Sequence, residues 1–147
     1  MVSAVNPYLN FPGNTEAAFE FYRTVFGGEL VGPVRYRDFP DAMGAADADR
    51  DRIAHVGLPI GAGHILMGTD SIAAHGKTLR TGNNFYITLG PDDAEEARRL
   101  FDALSDGGRI EMPLQETEWA ELYGICADRF DVQWMISFEG AKTFRFG

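Results

Sequence analysis

The amino-acid sequence carries one ordered pattern twice, and this repetition constrains the fold more than any other feature. In each half an alternating segment precedes one with helical apolar spacing, which ends at Gly-Gly and is followed by three extended segments. The two pairs, Gly27-Gly28 and Gly107-Gly108, lie 80 positions apart in a chain of 147 residues. The alternative is two unrelated helices that both end in glycine. Because order, spacing and strand pattern agree, we favour a duplicated module, whose period is too long for a solenoid.

The alternating segment of each half predicts a strand with one apolar and one polar side. In "VNPYLNF" the polar side carries Tyr8 and Asn10, and in "NNFYITL" it carries Tyr86 and Thr88. The apolar sides carry Pro7, Leu9 and Phe11 in the first segment and Phe85, Ile87 and Leu89 in the second. The polar sides of the two strands therefore match in residue type as well as in spacing.

Helix start and stop signals follow both strands. Asn14 is placed to cap the first helix through its side chain, and Asp93 has capping-box spacing to Glu96 at the second. The glycine pairs end both helices, because glycine takes the left-handed conformation without steric cost. The acidic, aperiodic segment 38–51 and the stretch 71–83 between the halves are predicted loops.

These segments predict a single α+β domain over residues 1–147, with two βαβββ modules at about 5–70 and about 83–139. The net charge of −9 argues against nucleic acid or an anionic membrane as a partner. No apolar run has bilayer length, and Cys126 is the only cysteine. We therefore expect a cytoplasmic protein with an inert, buried thiol.

Three stretches carry a family resemblance: "NPYLNFPGNTEAAFEFYRTVFGGEL", "RIAHVGLPIGAGHILMGTD" and "QETEWAELYGICADRFDVQWMI". They resemble the vicinal oxygen chelate superfamily of glyoxalase I, bleomycin-resistance proteins and extradiol dioxygenases, and within it the PhnB-like branch. The resemblance implies mixed sheets that curl into an open cleft with outer helices, and a homodimer. In the superfamily's enzymes a divalent metal sits in the cleft, held by side chains from four strands.

The resemblance also locates the positions where metal ligands would stand. They are Asn6 or Pro7, Leu66 or Met67, Asn84 or Tyr86, and Met135. None of these is the imidazole or carboxylate that usually binds a divalent transition metal. We therefore predict no cofactor and disfavour a standard metal site, although a displaced site remains an alternative.

His55 is the first candidate for chemistry. In "IAHVGLPI" the apolar residues Val56 and Leu58 alternate, so His55 points to the opposite face, which is the cleft in the resembled fold. There it could contact a ligand, act as a general base or bind a displaced metal. The alternative is a histidine paired with a neighbouring backbone or hydroxyl group. His64 and His75 are expected at a turn and in the linker, exposed to solvent.

Glu118 is the second candidate, because a carboxylate beside the large aromatic Trp119 could be desolvated for acid–base work. The alternative is an acidic loop residue that is simply solvated. Trp119 is expected to form an apolar wall of the cleft. The predicted ligand-binding residues are Tyr8, Asn10, His55, Tyr86, Thr88, Trp119 and Met135.

Three functions fit these features. The first is a metal-free protein that binds a small organic molecule. The second is a lyase, isomerase or oxygenase with a non-standard site built from His55 and Glu118. The third is an interaction module whose cleft is filled by side chains. The missing ligand residues favour the first.

Overall fold

The computed structural model describes residues 1–76 and 78–142. The chain divides into two compact units, Met1–Arg80 and Thr81–Gly147. Each unit contains one α-helix and one four-stranded mixed sheet. The predicted α+β fold of two βαβββ modules is confirmed.

The first unit contains four strands and a helix in the order β1, α1, β2, β3, β4. Their bounds are β1 Tyr8–Phe11, α1 Thr15–Phe26, β2 Val31–Arg35, β3 Ile53–Gly61 and β4 His64–Asp70. The sheet order is β1-β4-β3-β2, with β1 parallel to β4 and the other pairs antiparallel. The helix ends as predicted, and Gly27 and Gly28 both have positive φ.

The helix α1 covers one face of this sheet. Leu9 and Phe11 of β1 are buried on that side, as their alternation predicts. The ring of Phe19 meets that of Phe11 edge-on at a centroid distance of 6.4 Å. A Cβ atom at Gly68 would lie 2.6 Å from Phe19. Glycine at this position in β4 therefore allows the phenylalanine ring to lie directly on the strand.

A buried carboxylate joins three elements of the first unit. Asp70, at the end of β4, is 2% exposed and accepts hydrogen bonds from the backbone nitrogen of Thr15 at 3.0 Å and from its hydroxyl at 2.6 Å. Its other oxygen accepts from the nitrogen of Ile53 at 2.8 Å. The predicted side-chain cap by Asn14 is wrong, because its side chain makes no capping hydrogen bond and Asp70 satisfies the first helical N–H instead.

The acidic segment between β2 and β3 is more ordered than the predicted loop. It forms three short 3-10 turns at Tyr36–Asp38, Pro40–Gly44 and Asp47–Asp49. Within the second turn Asp41, Ala42 and Met43 all have positive φ, between 49° and 53°. His75 is exposed as expected, but its Nε2 atom also hydrogen-bonds the carbonyl oxygen of Met43 at 3.0 Å.

The second unit repeats the element order. Its bounds are β5 Ile87–Leu89, α2 Ala94–Ser105, β6 Arg109–Gln115, β7 Leu122–Ala127 and β8 Gln133–Phe138. The sheet order is β5-β8-β7-β6, with β5 parallel to β8. The predicted cap is confirmed, since Asp93 accepts from the nitrogen of Glu96 at 2.8 Å. The first strand is shorter than predicted, because Phe85 lies before it and is 63% exposed.

A tight turn links β7 to β8 around a second buried carboxylate. Asp128 accepts from the indole N–H of Trp134 at 2.8 Å and from the nitrogens of Phe130 and Val132. Trp134 is fully buried. Asp131 in this turn has φ of 65°, the left-handed conformation that a glycine would adopt more readily.

We predict that Asp70→Asn lowers the free energy of unfolding by about 3 kcal/mol. Both oxygens of Asp70 accept hydrogen bonds, and in asparagine one of them is replaced by an NH₂ group, which cannot accept, while the negative charge is lost. Chemical denaturation measures this change. The control Asp47→Asn removes a carboxylate whose side chain is 99% exposed and should have little effect. A loss below about 1 kcal/mol for Asp70→Asn would contradict the joining role of the carboxylate.

Candidate functional site

The open face of the first sheet is the side turned away from α1. Tyr8 and Asn10 of β1 lie on this face, opposite the buried Leu9 and Phe11. In the sheet register Tyr8 is paired with Met67 and Asn10 with Thr69. The alternation in the sequence therefore correctly assigned the first strand's exposed side.

Two predicted residues meet on this face. The hydroxyl of Tyr8 lies 2.8 Å from Nδ1 of His55, and the ring centroids are 5.5 Å apart. The two residues come from β1 and β3, which flank β4. If Tyr8 donates, the neutral imidazole keeps its proton on Nε2. Within residues 1–76 and 78–142 no hydrogen bond to Nε2 is found, so this atom is available to a ligand.

Exposed apolar side chains lie on the same face as the tyrosine–histidine pair. Val31 and Ile65 are exposed for 59% and 37% of their areas, and Tyr8 for 45%. Gly57 lies beside Val31 and Ile65, and a Cβ atom added to Gly57 would lie 3.4 Å from Ile65. The face therefore combines an apolar surface with one hydrogen-bonded polar pair, which is the usual composition of a small-molecule site.

Partial burial raises the pKa of Tyr8 above its ordinary value of 10.0, and the nearby Tyr36 raises that pKa further. The phenol therefore stays protonated throughout the physiological range. In this state it can donate a hydrogen bond to His55 or to a bound molecule, whereas a phenolate could only accept.

The predicted residues of the second unit fall into two groups. Met135 accepts a hydrogen bond on sulfur from Tyr123 at 2.9 Å and from Thr88 at 3.6 Å. Trp119 meets Tyr123 edge-on at a centroid distance of 5.3 Å. Tyr123 thus contacts two predicted residues, Met135 and Trp119, although it was not itself among the predicted ligand-binding residues.

Tyr86 forms the second group, because its hydroxyl bonds Glu111. It donates to Glu111 at 2.7 Å, and this hydrogen bond raises the pKa of Tyr86. Its hydroxyl is therefore engaged within the second unit, while its alternation partner Thr88 contacts the sulfur of Met135.

The acidic loop around Glu118 serves partly structural purposes. Glu116 forms an ion pair with Lys142 at 2.7 Å, and Glu121 accepts from the nitrogen of Ala141 at 2.8 Å. Glu118 itself is exposed. It belongs to the second unit and His55 to the first.

The positions expected for the superfamily's divalent metal do not fit a metal. Asn6 uses its amide oxygen to accept from the nitrogen of Ile65 at 3.0 Å, and Leu66 is fully buried. Met135 offers only a thioether, which already accepts a hydrogen bond from Tyr123. Among residues 1–76 and 78–142 there is no group of three His, Cys, Asp or Glu side chains that could hold a metal.

Cys126 is buried and has no disulfide partner. Burial raises the pKa of its thiol to about 12, so the thiolate is not formed at neutral pH. Within the described part of the chain, no helix has the length and apolar character needed to cross a bilayer.

Comparisons with known proteins agree with the fold. A model of the glyoxalase/bleomycin resistance protein/dioxygenase superfamily matches residues 4–136. The chain belongs to this superfamily, as its sequence predicts.

Similar proteins include one curated protein and two solved structures. Protein YjdN of Escherichia coli strain K12 is 34% identical over 143 residues, covering 90% of this chain and 93% of that protein. The crystal structure of protein PA1353 from Pseudomonas aeruginosa has 36% identity and a TM-score of 0.83, with 94% and 98% coverage. The PhnB protein of Bacillus cereus has 25% identity and a TM-score of 0.67, with 92% and 99% coverage.

We predict that Tyr8 ionises above pH 10.0, because its protonated form is favoured in the folded state. The difference between the phenolate absorbance titrations of wild type and Tyr8→Phe isolates this residue. Because the unfolded state releases this proton at a lower pH than the folded state does, the free energy of unfolding falls as pH rises through this range. A midpoint at or below 10.0, with circular dichroism showing a folded chain, would contradict the prediction.

Proposed function

We propose that this chain binds a small organic molecule on the open face of its first sheet, without the divalent metal of the superfamily's enzymes. The observation that carries the proposal is the Tyr8–His55 hydrogen bond within an exposed apolar surface. An aromatic or polar ligand would rest on the apolar residues and hydrogen-bond the free Nε2 atom of His55. Binding would serve sequestration or sensing.

The positions inherited for metal ligands support this proposal. They hold amide, phenol, thioether or apolar side chains, and Asn6 and Met135 already accept hydrogen bonds within the protein. A metal-free cleft still provides shape, apolar area and a few directed hydrogen bonds, which suffice for small-molecule recognition. As further proposals, we expect a cytoplasmic homodimer that binds neither nucleic acid nor membrane.

The alternative is an enzyme, and the same pair of residues supports it. If instead Nδ1–H of His55 donates to the hydroxyl of Tyr8, the unprotonated Nε2 atom is free to act as a general base. Under this alternative His55→Ala would abolish turnover at nearly unchanged melting temperature. Binding without turnover favours the primary proposal.

A thermal-shift screen of small aromatic and polar compounds in the presence of EDTA tests the proposal, because a ligand of the folded state raises the melting temperature. We predict that calorimetric affinity for a positive compound falls about tenfold in His55→Ala, as expected for one lost hydrogen bond. Tyr8→Phe should also weaken binding, because the imidazole loses its orienting partner.

The control is His64→Ala, which removes an exposed imidazole from the start of β4. It should leave the affinity unchanged. Binding that is equally strong in His55→Ala and Tyr8→Phe would move the site away from this face. A screen without any saturable ligand would contradict the proposed function itself.

A further inference from the structure

A pocket adjoins the open face of the first sheet, within the first unit. Its volume is about 180 Å³, and it lies where β1 and β4 end, beneath the left-handed turn of the segment 36–50. This volume is large enough to hold a small molecule. Asn10 borders it and also belongs to the open face, so the two regions are continuous.

The floor of the pocket is apolar. Tyr36 and Ile72 are each 3% exposed and pack in one cluster with Ala42 and Ala45. The hydroxyl of Tyr36 donates to the backbone carbonyl of Asp70 at 2.7 Å, so the ring rather than the hydroxyl serves as floor. This surface suits a small alkyl group.

The polar wall consists of groups that both donate and accept hydrogen bonds. It carries the amide of Asn10 and the hydroxyl of Ser71, and neither side chain has a hydrogen-bond partner among residues 1–76 and 78–142. The carboxylate of Asp70 also borders the pocket, but Thr15 and Ile53 already use its oxygens. The wall therefore matches an uncharged polar group better than an anion or a cation.

The rim is formed by a strained turn that a histidine holds in place. Three successive residues without glycine, Asp41 to Met43, have left-handed φ, which costs about 1–2 kcal/mol for each residue. Ala42 is buried, and His75 hydrogen-bonds the carbonyl of Met43. Strain of this kind persists where the surroundings impose it, and it clusters at sites that clamp ligands.

We propose that this pocket binds a small uncharged molecule with a carboxamide-like group. The amide end would face Asn10 and Ser71, and a short alkyl group would lie on Tyr36. The inference rests on the proposed function, since Asn10 belongs to the same open face. It adds the chemical class of the bound group and the place where that group is held.

Two-dimensional ¹H–¹⁵N NMR on the full-length chain tests this inference with three probes of similar size: propionamide, propionate and propylammonium. We expect propionamide to shift the backbone amide signals of Asn10, Ser71 and His75 saturably in the millimolar range. Propionate and propylammonium should bind at least tenfold more weakly, because the wall offers no free charge.

Two variants assign the response to the pocket. Asn10→Leu removes the amide at similar volume, and Ser71→Ala removes the hydroxyl with little effect on folding; each should weaken propionamide binding about tenfold. Asn83→Leu makes the same exchange at an exposed site of the second unit and should leave binding unchanged. A melting temperature near that of wild type shows that each variant is folded.

Four outcomes would overturn the inference. One is an equal response to propionate, the second is no saturable shift with any probe, and the third is propionamide binding that survives both pocket variants. Shifts confined to the surroundings of Tyr8 and His55 would also overturn it. They would not contradict the proposed function, because the thermal-shift screen tests the open face independently.

Discussion

The buried carboxylate of Asp70 is the interaction on which the first unit depends. It binds the first turn of α1 and the first residue of β3 from the end of β4, and its own backbone pairs with Phe11 of β1. Because this pairing sets the register of β1, it also places Tyr8 and Asn10 on the open face. In the second unit the N-terminus of the helix is capped locally, since Asp93 caps α2 from the residue just before it.

Local signals in the sequence were enough to predict the element order of each unit. Strand alternation, glycine pairs and the Asp93 cap act within a few residues of each other, so they can be recognised without tertiary information. The cap of α1 could not be predicted in this way, because Asp70 lies 55 residues from Thr15. The start of β5 was placed too early because Phe85 continues the alternating pattern although the strand begins at Ile87.

The candidate site could be predicted only in part, for a related reason. Alternation assigned Tyr8 and His55 to one face separately, but their hydrogen bond joins residues 47 positions apart and depends on the order of β1, β4 and β3. No pattern in the sequence indicated the neighbouring pocket. Its rim is an aperiodic segment whose left-handed turn contains no glycine before Gly44. The histidine that bonds this turn, His75, was predicted only as an exposed residue of the linker.

We propose that this chain binds an organic molecule without the divalent metal that the superfamily's enzymes hold in their cleft. The most direct measurement is elemental mass spectrometry on protein purified without an affinity tag, combined with a melting-temperature comparison with and without EDTA. We predict well below one equivalent of any divalent metal and no change in melting temperature with EDTA. About one equivalent of metal, with a lower melting temperature in EDTA, would contradict it.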